Sequence, residues 1–142
     1  MRFELPAEKK LAYEMTIPIR WGDMDAMGHV NNTIYFRYFE TVRLDWFFRV
    51  AAPHGISLLE HEGVIIVNAF CNFIRQLEFP GDVRAKFYVA NAGRSSFDTY
   101  LTLERTDEPG VVYTEGGATT VWTDFKAKKS RPMPDWLREL VS

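Results

Sequence analysis

The chain contains a single cysteine, Cys71, so it can form neither an intramolecular disulfide nor a multi-cysteine metal site, and a reducing compartment suits it. No apolar run approaches the roughly 20 residues that a membrane-spanning helix needs. The first residues, Met-Arg-Phe-Glu-Leu-Pro-Ala-Glu-Lys-Lys, are charged where a secretion signal is apolar. A cytoplasmic protein without membrane contact is therefore expected. Charge of one sign is also scarce: 17 basic and 19 acidic residues leave a net −2, which argues against a nucleic-acid partner. Repeats, linkers and low-complexity tracts are missing, so residues 1–142 read as one domain. What the chain does have is apolar bulk: 46% hydrophobic and 15% aromatic residues suffice for a core and leave apolar surface for a ligand or a subunit contact.

Tyr13 to Trp21 alternates loosely and reads as a strand near a sheet edge, because of Pro18. From about Asn32 to Ala51, apolar residues recur at Ile34, Tyr35, Tyr38, Phe39, Val42, Trp46, Phe47 and Val50, a helical stripe that Pro53 and Gly55 end. Ser57 to Glu62 suggests a short turn, and Pro134 to Leu140 a terminal helix with Pro134 near its first turn. The remainder is punctuated like a sheet. Val-Ile-Ile-Val within Gly63 to Phe70 has the look of a buried strand, and hairpin-linked strands follow over Val83–Val89 and Phe97–Leu103. A last strand runs from Val111 to about Phe125, where Gly116-Gly117 marks either a bulge or a close approach to the backbone. Trp46, Phe47 and the Val64–Phe70 run exceed what one helix and one sheet need to bury, so a homodimer or larger assembly is expected.

The densest chemistry lies between the first strand and the helix. Asp23-Met-Asp25-Ala-Met-Gly28-His29-Val-Asn31-Asn32 gathers two carboxylates, an imidazole, two amides and a glycine. A helix start leaves N–H groups unpaired and carries partial positive charge, so it can hold a developing oxyanion while a nearby carboxylate handles the attacking group. A calcium loop does not fit, because its fifth position would be Met27 and its twelfth, which needs a bidentate glutamate, Ile34. Zinc fits no better: His29, Asp23 and Asp25 supply at most three ligands, and His54 and His61 lack paired spacing. No metal or cofactor is expected. Asp23, Asp25 and Asn31 also suit plain turn and N-cap positions, although capping alone does not explain why His29 and two amides follow so closely.

The run Ile19-Arg20-Trp21-Gly22-Asp23-Met24-Asp25-Ala26-Met27-Gly28-His29-Val30-Asn31-Asn32, with Tyr35, Tyr38-Phe39-Glu40 and Arg43, resembles the signature of the hotdog-fold acyl-CoA thioesterases related to 4-hydroxybenzoyl-CoA thioesterase. Strand order and spacing extend the resemblance over nearly the whole chain, through Gly93-Arg94-Ser95-Ser96-Phe97 and the long last strand. The resemblance implies an α+β hotdog fold, an antiparallel sheet of about five strands wrapped around one long central helix. It further implies homodimers whose interfaces hold the active sites, often joined into homotetramers. The implied reaction is hydrolysis of a fatty or aromatic acyl-CoA to free acid and coenzyme A. Asp25, the second aspartate of the Gly-Asp-x-Asp motif, would be the catalytic carboxylate. The His-Val-Asn-Asn stretch is similar to plant acyl-carrier-protein thioesterases, whose catalytic set has an Asp and a His in this spacing, which adds His29 and names acyl carrier protein as an alternative carrier. Met27 stands where those enzymes have an asparagine.

The residues support that chemistry independently. A thioester is already activated, and a thiol of pKa about 8.5 leaves without a strong general acid. Asp25 can act as general base on water or attack the carbonyl itself, while N–H groups around Gly28 and the helix start polarise the carbonyl oxygen. Asp23 is expected to order the turn, Asn31 to orient Asp25 or a water, and Tyr35 to line the acyl pocket. Glu40 is expected to pair with Arg43 or a backbone group. Asn68, polar in what reads as a buried strand, must find a partner or face the site from the other subunit. Arg94, Ser95 and Ser96 are candidates for the coenzyme A phosphates, with a solvated strand end as the plain alternative, and Lys126, Lys128, Lys129 and Arg131 form a second basic cluster. Cys71 reads as buried rather than nucleophilic. Two other functions suit the same scaffold: a protein that binds an acyl thioester without cleaving it, and a dehydratase acting on a 3-hydroxyacyl thioester.

Overall fold

A proline at the end of a strand stops its ladder, and β1 (Lys10–Pro18) does lie at one edge of the sheet. The computed structural model describes residues 1–55 and 60–142. After β1 come α1 (Asn32–Ala51), β2 (Glu62–Phe73), β3 (Asp82–Ala90), β4 (Ser96–Arg105), β5 (Val112–Asp124), the two-residue β6 (Lys129–Ser130) and α2 (Asp135–Val141). The sheet order is β1-β3-β4-β5-β2, with every pairing antiparallel and β6 added to the end of β5. The curled sheet wraps α1, as expected of a hotdog fold. Of the short turn expected over Ser57 to Glu62, residues 57–59 lie outside the described residues.

The bounds of α1 follow from local chemistry. Asn31 caps it by accepting a hydrogen bond from the Thr33 amide, and the turn Ala52–His54 with Gly55 in the left-handed region (φ 67°) ends it. Its apolar stripe buries Tyr35, Tyr38, Phe39, Val42, Trp46 and Phe47. Trp46 and Phe47 were expected to leave surplus for a subunit contact, but they are 4% and 2% exposed. The Trp46 ring packs 5.0 Å from Phe87 and 6.1 Å from Phe97, and Phe47 packs 6.3 Å from Trp122. The curl of the sheet brings β3, β4 and β5 around both rings.

The other correction concerns β2. Its apolar run has the composition of a central strand, yet β2 is the second edge, and Ile65, Ile66 and Val67 are 41%, 40% and 54% exposed. The register slips between Ile66 and Asn68, leaving Val67 as a bulged extra residue. Position in the sheet, rather than composition, decides whether a strand is buried. The surplus apolar surface is thus carried by β2 and by Phe36, Leu44 and Phe48 on the outer face of α1.

Gly116 and Gly117 resolve as a close approach. Both keep register with β4 and β2, and a Cβ at Gly116 would overlap the Phe39 ring, while one at Gly117 would lie 2.7 Å from Phe70 and 2.8 Å from Tyr100. The helix can lie this close to the sheet because a side chain is missing there. Gly116→Ala is expected to cost about 1–3 kcal/mol by overpacking, read as a lower urea midpoint.

Candidate active site

The chain leaves β1 through a single turn, Trp21–Asp23, closed by a reciprocal bond pair: the Asp23 amide donates to the Arg20 carbonyl at 3.0 Å, and the Arg20 amide donates to Asp23 Oδ2 at 2.9 Å. Asp23 Oδ2 also accepts from the Tyr38 hydroxyl at 2.7 Å, so this carboxylate ties the turn to α1. Burial, reinforced by the Asp23 bond, pushes the Tyr38 phenol well above its ordinary range.

Asp25 opens the next turn and faces elsewhere. Its amide donates to the His29 carbonyl at 2.9 Å and its carbonyl accepts from Gly28 at 3.1 Å; Gly28, at φ 81°, supplies the left-handed residue that closes the loop. Two donors hold the Asp25 carboxylate: the Met27 amide at 2.9 Å from Oδ1 and Asn31 Nδ2 at 3.3 Å from Oδ2. Asn31 therefore caps the helix with its oxygen and orients Asp25 with its nitrogen. Asp25 lines an open groove of about 450 Å³ together with Met27, His29, Val30, Asn32, Tyr35, Phe73 and Gln76. Among the described residues the amide of Asn32, first in the helix and part of the same groove lining, donates to no acceptor.

Of the other expected residues, His29 and Tyr35 share the groove with Asp25. The His29 imidazole is half-buried, with Nε2 3.6 Å from Glu78 Oε1. Tyr35 is buried, its hydroxyl oxygen accepts from the Leu77 amide at 3.1 Å, and its ring meets Phe73 edge-on at 4.9 Å. Asn68 is exposed on edge strand β2, where its oxygen accepts from the Thr119 amide at 3.2 Å. Arg94, Ser95 and Ser96 lie at the β3–β4 turn, at the far end of a nine-residue strand whose near end adjoins Gly81 beside the Asp25 loop, a span of roughly 26 Å. One protomer does not bring them to Asp25. Glu40 pairs with Arg37 at 3.4 Å rather than with Arg43, whose guanidinium is held below its ordinary pKa by burial. In the basic cluster, Arg131 is taken up by Asp124 at 2.5 Å. Among the described residues no three His, Cys, Asp or Glu side chains are grouped to hold a metal ion, and no helix is long and apolar enough to cross a membrane.

Phe73 and Gln76 are the groove residues that the sequence did not single out. Asn32, the second amide of the decapeptide, was legible, since the residue after an N-cap has a free amide. Phe73 and Gln76 reach the groove from the end of β2 and its connection to β3, a long-range contact with no local signature.

Fold and groove together define the hotdog class, and comparison with known proteins agrees. The model of the thioesterase-like superfamily matches residues 19–141. The Pseudomonas aeruginosa protein PA2801, described as a candidate thioesterase, is 34% identical; its structure covers 94% of this chain and 100% of its own, with a TM-score of 0.85. XC229 of Xanthomonas campestris, described as a candidate acyl-CoA thioesterase, is 29% identical over 87% of this chain and 100% of its own, with a TM-score of 0.76. BH1999, a gentisyl-coenzyme A thioesterase, shares the fold at 22% identity and a TM-score of 0.80, over 92% of this chain and 100% of its own. The chain belongs to the thioesterase-like superfamily.

Two outcomes follow from the local geometry. Asn31→Ala removes the α1 cap and is expected to cost about 1 kcal/mol in urea unfolding. Burial pushes the Cys71 thiol up to about 12, so at pH 8 iodoacetamide is expected to label the folded chain at least about a hundredfold more slowly than the unfolded chain.

Proposed function

We propose that this protein hydrolyses an acyl-CoA thioester with a fatty or aromatic acyl group, with Asp25 acting on the attacking water as general base or on the carbonyl as nucleophile. The observation that carries this reading is the Asp25 carboxylate, held by two donors at the lip of a groove beside the free amide of Asn32. A thioester carbonyl seated there has its oxygen toward a helix N-terminus, where developing negative charge is stabilised. His29 borders the same groove and assists by donating a hydrogen bond to the departing thiolate; Gly28 lets the loop turn, and Tyr35 forms an apolar wall. Coenzyme A is the carrier favoured here, with acyl carrier protein the alternative, in a cytoplasmic setting.

The second part of the reading is a homodimer, alone or doubled into a tetramer. An exposed edge strand with three apolar residues is a template for pairing with a copy of itself. Antiparallel β2–β2 pairing sets the Phe73 end of one strand beside the Glu62 end of the other. The register Ile65–Val121–Ser96 then carries the partner's Ser96, with the partner's Arg94 and Ser95, to the Asp25 side, two strand spacings (roughly 10 Å) from the seam. The partner's Asn68 lies along that seam. This arrangement supplies a phosphate-binding role for Arg94–Ser96 that a single protomer cannot.

Steady-state hydrolysis of an acyl-CoA panel tests the assignment. Asp25→Asn keeps the shape and an acceptor for the Met27 amide, and is expected to lower kcat by about a hundredfold or more with little change in Tm. Full activity in that variant, or tight binding of the panel without turnover by the wild-type protein, overturns it.

A further inference from the structure

The connection between β2 and β3, residues 74–81, is the floor on which the Asp25 loop rests. Val30 donates to the Leu77 carbonyl at 2.8 Å, Ile19 to the Gly81 carbonyl at 2.8 Å, the Leu77 amide to the Tyr35 hydroxyl oxygen at 3.1 Å, and Phe79 to Met24 Sδ at 3.3 Å. Glu78 faces His29. The Tyr113 carbonyl of β5 ties the start of this connection by accepting from the Ile74 and Arg75 amides at 3.1 and 3.0 Å; Gln76–Gly81 has no ladder, so its position depends on what grips it from the other side.

That grip is Arg105, the last residue of β4. Its Nη1 donates to the Glu78 carbonyl at 2.8 Å and its Nη2 to the Pro80 carbonyl at 2.8 Å, while Nε and Nη2 bond Asp107 at 2.9 and 3.2 Å. The side chain is 14% exposed. A planar guanidinium presents these donors in one rigid fork, which an ammonium cannot reproduce. Gly81 completes the arrangement: a Cβ there would lie 2.7 Å from Arg105 Cζ, in the space the guanidinium occupies.

We propose that Arg105 is a positioning residue for the Asp25 site: it does not line the groove, but through the Glu78 and Pro80 carbonyls holds residues 76–81 where Leu77 receives Val30 and Glu78 meets His29. Its effect on turnover rests on the hydrolase reading; the mechanical link between Arg105 and the Asp25 loop does not. Other arginines pair with carboxylates without touching this connection. Arg84, bonded to Glu14 at 2.7 Å across β1 and β3, is one, and serves as the control.

Arg105→Gln is expected to lower kcat by about ten- to a hundredfold with KM within about twofold, because a displaced carboxylate binds substrate but attacks poorly. Arg105→Lys is expected to recover only a minor part of the loss. Gly81→Ala, which crowds the guanidinium off Pro80 while keeping its charge and also strains a backbone at φ 153°, is expected to act in the same direction. Arg84→Gln is expected to leave the kcat and KM values unchanged. Amide hydrogen exchange supplies the readout that needs no substrate: Val30 and Leu77 lose protection in Arg105→Gln and Gly81→Ala, and keep it in Arg84→Gln. An unchanged kcat, a kcat loss matched by Arg84→Gln, or retained protection at Val30 and Leu77 overturns the proposal. Should the wild-type protein cleave no acyl-CoA, the hydrolase reading fails on that result, and hydrogen exchange alone then decides the link to Arg105.

Discussion

Leu77 is the joint on which the site depends. It is fully buried in a stretch with no ladder, so its amide and carbonyl must find partners within the protein. The Tyr35 hydroxyl oxygen takes the amide, and the Val30 amide supplies the carbonyl. Tyr35 belongs to the helix, Val30 to the Asp25 loop, and Leu77 to the sheet connection. Leaving either group unpaired costs about 1–3 kcal/mol, so one buried residue sets the relative heights of three elements.

Around that joint, two aspartates two residues apart take different tasks. Asp23 turns inward to Tyr38 and to the Arg20 amide, while Asp25 faces the groove. Asn31 connects cap and site, because its two side-chain atoms serve Thr33 and Asp25 at once. Helix nucleation and carboxylate orientation are therefore one arrangement, and a loop rich in capping residues is also a loop able to do chemistry. The two readings that the decapeptide invited, structural and functional, are compatible because hydrogen-bond capacity remains on each oxygen after the local bond is made.

The parts of the fold that were legible are those written in short-range chemistry. The helix over 32–51 was readable from a 3.6-residue stripe, an asparagine cap and a terminal Pro-Gly pair, and the hairpin strands from period-two alternation. The misreadings share a cause. Trp46 and Phe47 were assigned to a subunit contact because counting apolar residues along a chain cannot show how far a sheet curls. Composition likewise could not tell edge strand β2 from a central one, since strand order is a non-local property. Glu40 had two arginines within one helical turn, and it pairs with Arg37 while Arg43 is partly buried.

By itself, the sequence determined the element order, the capped helix, the cluster of Asp25, Gly28, His29 and Asn31, and the family, because each rests on residues close together in the chain. Only the tertiary structure decided that Phe73 and Gln76 wall the groove, that Gly116 makes room for Phe39, that Arg94–Ser96 lie a strand length from Asp25, and that Arg105 grips the connection beneath it. Those facts depend on curl, register and strand order. Many chain paths satisfy the same local pattern, and burial of the whole apolar surface selects among them.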